Sequence, residues 1–146
     1  MIELSTKRLR LIPLNAKCLE ILINEEKTLE IELTVSSNEV FLDEELRQAL
    51  KIRLSKVLED EENYIWYTNW VIVSKEKNCI VGGKYQAKGY MTETVRLMKD
   101  WLLSQSNVKY VIADTDKNNI ASHKVLRKAG ATLYSESNEL YFWRFV

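Results

Sequence analysis

Proline, histidine and cysteine are nearly absent from this 146-residue chain: it has one Pro, one His and two Cys, with only four Gly. Cys18 and Cys79 have no metal-type spacing and no histidine beside them, so they are expected to be reduced thiols leaning toward the core, and no metal is expected. Neither sign of charge is in excess, since Lys+Arg and Asp+Glu both number 21. No net field therefore draws the chain to nucleic acid or to an anionic membrane. No apolar run approaches the roughly 18 residues of a membrane span, and the opening M-I-E-L-S-T-K-R-L-R-L lacks the continuous apolar centre of a signal peptide. These absences predict a cytoplasmic protein with no nucleic-acid or membrane partner. With no repeat, low-complexity tract or linker, the length predicts one domain over residues 1–146.

What is present reads as alternating helix and strand. Residues 7–12 alternate Lys/Arg with Leu/Ile and end at Pro13, a strand closed by a residue that cannot continue a ladder. Asn15 is placed to cap a short helix carrying Leu19, Leu22 and Ile23. Residues 28–35 alternate well enough for a strand but are left open. Over 43–58, Leu46, Ala49, Leu50, Leu54, Val57 and Leu58 form one helical stripe with acids in the first turn. Residues 60–63 read as a solvated acidic loop. Residues 68–74 and 78–83 read as a hairpin around Lys75-Glu76-Lys77, and 131–135 with 139–146 as a second one.

The most informative stretch is 84–130. A turn from Gln86 to Met91 with small residues at Ala87 and Gly89 runs straight into an apolar-periodic helix, so unpaired backbone N–H groups and the positive end of a helix dipole face one point. That is the geometry of an anion site. A strand is expected over 108–113, then a helix beginning near Asn118–Ala121 and stopping at Gly130. The patterns Gln86-Ala87-Lys88-Gly89-Tyr90-Met91 and Asn119-Ile120-Ala121-Ser122, with Asn118 one residue earlier and Gly130-Ala131 beyond, resemble the two signatures of GNAT acetyltransferases, most closely the ribosomal-protein N-terminal acetyltransferase branch. Two positions depart from them: Met91 stands where a small residue is usual, and Ala131 where phenylalanine is.

The resemblance implies an α/β (more strictly α+β) fold, a twisted and mostly antiparallel sheet flanked by helices. It also implies acetyl-CoA as cosubstrate and a primary amine as acceptor, either a protein N-terminus or a small amine. Gln86, Ala87, Lys88, Gly89, Tyr90, Met91 and Thr92 would cradle the pyrophosphate. Asn118 or Asn119 would hold the pantetheine, and Ser122 would touch the cofactor or protonate the leaving thiolate. The same Asn and Ser residues would serve equally well as ordinary helix caps. His123 lies about 100° around the helix from Ser122 and is expected on the solvated surface. Tyr64, Tyr67 and Tyr134 are candidates to line an acceptor site, with nothing to choose among them.

One family element has no counterpart. Gly83 leads directly to Lys84-Tyr85-Gln86, where the resemblance calls for a fourth strand. Recrossing a sheet takes roughly 17–20 Å, and three residues span at most about 11 Å. Either residues 78–85 are rearranged, or a second subunit supplies pairing, or the protein carries a segment that this sequence omits; a homodimer is the expectation. The alternative from another class is a catalytically degraded binding or oligomerisation module.

Overall fold

Alternating basic and aliphatic residues give the first ladder, in which β1 (Leu4–Ser5) pairs antiparallel with β2 (Leu9–Pro13). The computed structural model describes residues 2–38, 40–81 and 89–146. Its contacts divide into two units, Met1–Gln86 and Ala87–Val146.

In the first unit, the Asn15 side chain accepts from the Cys18 N–H at 2.9 Å and starts α1 (Ala16–Ile23). Residues 28–35, left open by the sequence, contain a short helix, α2 (Thr28–Glu32). A strand would have put Leu29, Ile31 and Leu33 on one face. The helix instead buries Leu29 and Leu33, four apart, and leaves Ile31 78% exposed. After β3 (Ser37–Asn38), Asp43 accepts from the Leu46 N–H at 2.7 Å and caps α3 (Glu44–Glu59), as its stripe predicts. The acidic stretch expected as a loop enters a 3-10 helix, Glu61–Trp66. The hairpin follows as β4 (Trp70–Ser74) and β5 (Cys79–Ile80), turning through Asn78 at φ 48°.

The sheet order is β1-β2-β4-β5-β3, antiparallel except for β3 beside β5. The Ser36 N–H donates to the Asn78 carbonyl at 2.7 Å and leads the chain into that parallel contact. The edge of β5 away from β4 is thus taken by a segment from much earlier in the chain. Helices α1 and α3 pack on each other, and Ile12, Leu14, Leu19, Leu22, Leu50, Val57, Val73 and Ile80 form the core. Cys18 is buried in it, and that burial pushes its thiol pKa up.

The second unit comprises α4 (Tyr90–Leu103), β6 (Val111–Asp116), α5 (Ile120–Lys128), β7 (Thr132–Glu136) and β8 (Leu140–Phe145), with strand order β6-β8-β7, all antiparallel. The expected strand at 108–113 is displaced toward the C-terminus. Val108 is held in a turn by its N–H to the Gln105 carbonyl, and the ladder continues into the polar Asp114-Thr115-Asp116. Polarity does not end this strand because only Thr115 faces inward, where its hydroxyl receives the Trp143 indole N–H at 3.0 Å.

Gly130 stops α5 at φ 100°, with the Ala131 N–H donating to the Leu126 carbonyl at 2.9 Å. A Cβ there would meet nothing within 4 Å, so the penalty in Gly130→Ala is purely conformational. Urea unfolding should show a loss of about 1–2 kcal/mol; no loss would mean that the turn relaxes freely.

The whole is a mixed α/β architecture of mostly antiparallel strands flanked by helices. Among the described residues no helix is long and apolar enough to cross a membrane.

Candidate functional site

The two helix starts of the second unit hold the candidate residues. Gly89 is the N-cap of α4 at φ 75°, a left-handed conformation that glycine adopts without strain, and no side chain caps that end. Met91 and Thr92 precede the first intrahelical bond, from the Glu93 N–H to the Gly89 carbonyl at 3.1 Å, so their N–H groups face outward from the helix start. Tyr90 is buried, Thr92 half-buried and Met91 exposed. This end suits phosphate oxygens, which need backbone donors and a positive dipole. It suits an ordinary helix start as well, since Glu93 already complements the dipole. Gln86, Ala87 and Lys88 lie outside the described residues.

At α5 the capping residue is resolved. Asn119 Oδ1 accepts from the Ser122 N–H at 3.2 Å, so the cap is the Asn119 side chain together with the Ser122 backbone. The Ser122 hydroxyl takes no part in it. That hydroxyl is half-buried and makes no hydrogen bond among the described residues. Asn118 is exposed, and its carbonyl accepts from the Ile120 N–H at 3.0 Å. The two helices pack together, with Arg96 of α4 donating to the Lys128 carbonyl at 2.8 Å.

His123 is not on the solvated surface. It is 5% exposed, its Nε2–H donates to the Asp116 carbonyl at 3.0 Å, and its ring lies edge-on to Tyr141 at 5.1 Å. Its bond ties the end of β6 to the first turn of α5, one residue from Ser122. His123 is therefore a hydrogen-bonded core residue, where the sequence reading expected a surface one. The signal was available: His123, Leu126 and Ala129, three apart, are all buried along one side of the helix. Tyr64 is half-buried against the first unit's core, with burial raising its pKa, while Tyr67 and Tyr134 are exposed.

A helix-flanked, mostly antiparallel sheet with two helix N-termini in one unit defines the class of fold. The acetyltransferase (GNAT) domain family matches residues 52–132, more than half of the chain. The protein belongs to that family. A Bacillus subtilis (strain 168) relative, the uncharacterized N-acetyltransferase YjdG, is 25% identical over 167 residues that cover 100% of this chain and 99% of its own. Among solved structures, the ribosomal-protein-S5-alanine acetyltransferase of Vibrio fischeri superposes with TM-score 0.67 at 15% identity, covering 100% of this chain and 97% of its own. A ribosomal L7/L12 alpha-N-protein acetyltransferase in complex with coenzyme A superposes with TM-score 0.60 at 12% identity, covering 99% and 98%. These structural likenesses carry the fold.

Proposed function

We propose that the chain is an acetyl-CoA-dependent N-acetyltransferase that moves an acetyl group to a primary amine, a protein N-terminus or a small amine, in the cytoplasm. Family membership supports acetyl transfer, and the single observation that carries the site is the Ser122 hydroxyl, half-buried at a helix start and spared from capping. Bound acetyl-CoA would supply a thioester carbonyl to the attacking amine nitrogen. The amine–carbonyl bond forms, the carbon–sulfur bond breaks, and Ser122 Oγ gives its proton to the departing thiolate, regaining one from solvent as the amine sheds its own. Gln86, Ala87, Lys88, Gly89, Tyr90, Met91 and Thr92 hold the pyrophosphate, and Asn118 or Asn119 the pantetheine. The non-catalytic alternative draws support from the missing strand, Met91 and Ala131, none of which removes this hydroxyl.

Ser122→Ala tests the assignment. It leaves the backbone cap intact, so the melting temperature should hold while kcat falls at least about a hundredfold. An unchanged kcat would reject Ser122 as the acid.

In this reading the two units belong to one domain over residues 1–146, because relatives and solved neighbours align along the full chain. The alignment to the Bacillus subtilis relative is 167 residues long against 146 here, which supports a lost fourth strand in this reading. β6 then ends its sheet with one edge unpaired among the described residues, and open edges are usually covered. A homodimer is the expected result of light scattering at micromolar concentration. A monomer there would reject pairing between subunits.

A further inference from the structure

Side chains of the second unit's sheet alternate between its two faces. On one, Thr115, Tyr141, Trp143 and Phe145 turn toward the cluster to which α4 and α5 contribute. The other carries Ile112, Asp114 and Asp116 from β6, and Leu140, Phe142 and Arg144 from β8. The Arg144 guanidinium lies 5.9 Å from the Tyr110 ring and 5.2 Å from the Tyr134 ring, which sets both tyrosines on this second face. Tyr110, Ile112 and Tyr134 are 50%, 51% and 43% exposed. The solvated face of an antiparallel sheet is ordinarily polar, and contiguous exposed apolar groups mark a contact surface.

The register fixes what kind of surface it is. Ile112 stands opposite Arg144, and two residues along, Asp114 stands opposite Phe142. The apolar pair therefore occupies one diagonal of a four-residue block and the charged pair the other. Neither Arg144 nor Asp114 has an ion pair among the described residues. Stacking on tyrosine uses the flat guanidinium face and leaves its N–H edge free to donate to a carboxylate. Such a block is its own complement. Rotating a second copy by 180° about the Ile112–Phe142 diagonal lays each apolar side chain on its counterpart and brings Arg144 of each copy within reach of Asp114 of the other, the reciprocity that a two-fold contact requires. Opposed residues on an antiparallel ladder lie about 4.5–5.5 Å apart and successive residues on one face about 6.8 Å, so the strands of the two copies would cross at roughly 65–80°. That is close to the orthogonal packing of two sheets.

We propose that this face is a homodimer interface, with a second copy of the chain seated on it across a two-fold axis through Ile112 and Phe142 and held by two reciprocal Arg144–Asp114 ion pairs. The contact is a sheet face, distinct from the strand edge considered above, and it does not depend on acetyl transfer. Tyr110 and Tyr134 flank Arg144 and would shield the ion pairs from water, where charges attract more strongly. Three short strands make a contact at the small end of specific interfaces, so the association is reversible and concentration-dependent.

The test is sedimentation velocity of the full chain over about 1–100 μM. The native chain should dimerise within that range. Arg144→Asp and Asp114→Arg each set like charges against one another and should weaken dimerisation at least about tenfold. Mixing the two variants should restore it, because each then offers the charge that the other lacks, and so should both substitutions in one chain. Ile112→Lys, which brings two ammonium groups together on the axis, should weaken dimerisation as much as either reversal. Melting temperatures confirm that each variant is folded. A native chain that stays monomeric overturns the interface. A dimer that the reversals and Ile112→Lys leave unchanged also overturns it, with the strand edge remaining as the contact. A mixture that associates no more tightly than its components overturns the reciprocal ion pairs and with them the axis.

Discussion

Trp143→Ala is expected to cost about 3–5 kcal/mol, a large share of the roughly 5–15 kcal/mol that holds a typical domain folded. Trp143 is 1% exposed and packs with Leu126, Ala129 and Phe145. The Arg127 guanidinium lies 5.2 Å from its ring. Truncation also leaves the buried Thr115 hydroxyl without the indole N–H, a further penalty of about 1–3 kcal/mol. Trp143→Phe separates the two contributions, because it keeps most of the ring and loses the hydrogen bond. Its loss in urea unfolding should fall well below that of alanine. Equal losses would place the stabilisation in the hydrogen bond rather than in packing, and a loss under about 1 kcal/mol for alanine would show that this cluster is not the unit's core.

The second large effect concerns the donor site. A ligand bound only by the native state adds about 2.7 kcal/mol of stability at a hundredfold excess over its dissociation constant. Acetyl-CoA should therefore raise the melting temperature of the native chain. Gly89→Glu should abolish that rise, since Gly89 caps α4 at φ 75° and a carboxylate there opposes the anion for which the first-turn N–H groups are the proposed donors. Asparagine tolerates the left-handed conformation and adds no charge, so Gly89→Asn should keep the rise. His123→Ala should lower the starting melting temperature through its lost core contacts and keep the rise too. If the Glu and Asn variants respond alike to acetyl-CoA, the pyrophosphate does not sit at this turn.

Several elements were legible because their signals are local. Asn15 caps the helix it was expected to cap, the stripe over 43–58 is α3, and Gly130 ends α5 in the conformation that glycine favours. The same local signals do not decide between states where two periods compete. Leu29, Ile31 and Leu33 fit alternation, yet α2 buries the pair spaced four apart. Val108 looked like the start of a strand, and the pairing of Val111–Asp116 with β8 moved the ladder onward.

By itself, then, the sequence determined the starts of α1 and α5, the stop of α5 and the two hairpins, because a cap or a tight turn is satisfied within a few residues of backbone. Tertiary structure alone decided that His123 is buried against Tyr141, that the Ser122 hydroxyl is spared from capping, and that Ser37–Asn38 takes the edge of β5. Each of those depends on which group arrives from a distant part of the chain to accept a hydrogen bond or exclude water, and residue spacing along the sequence carries no record of that.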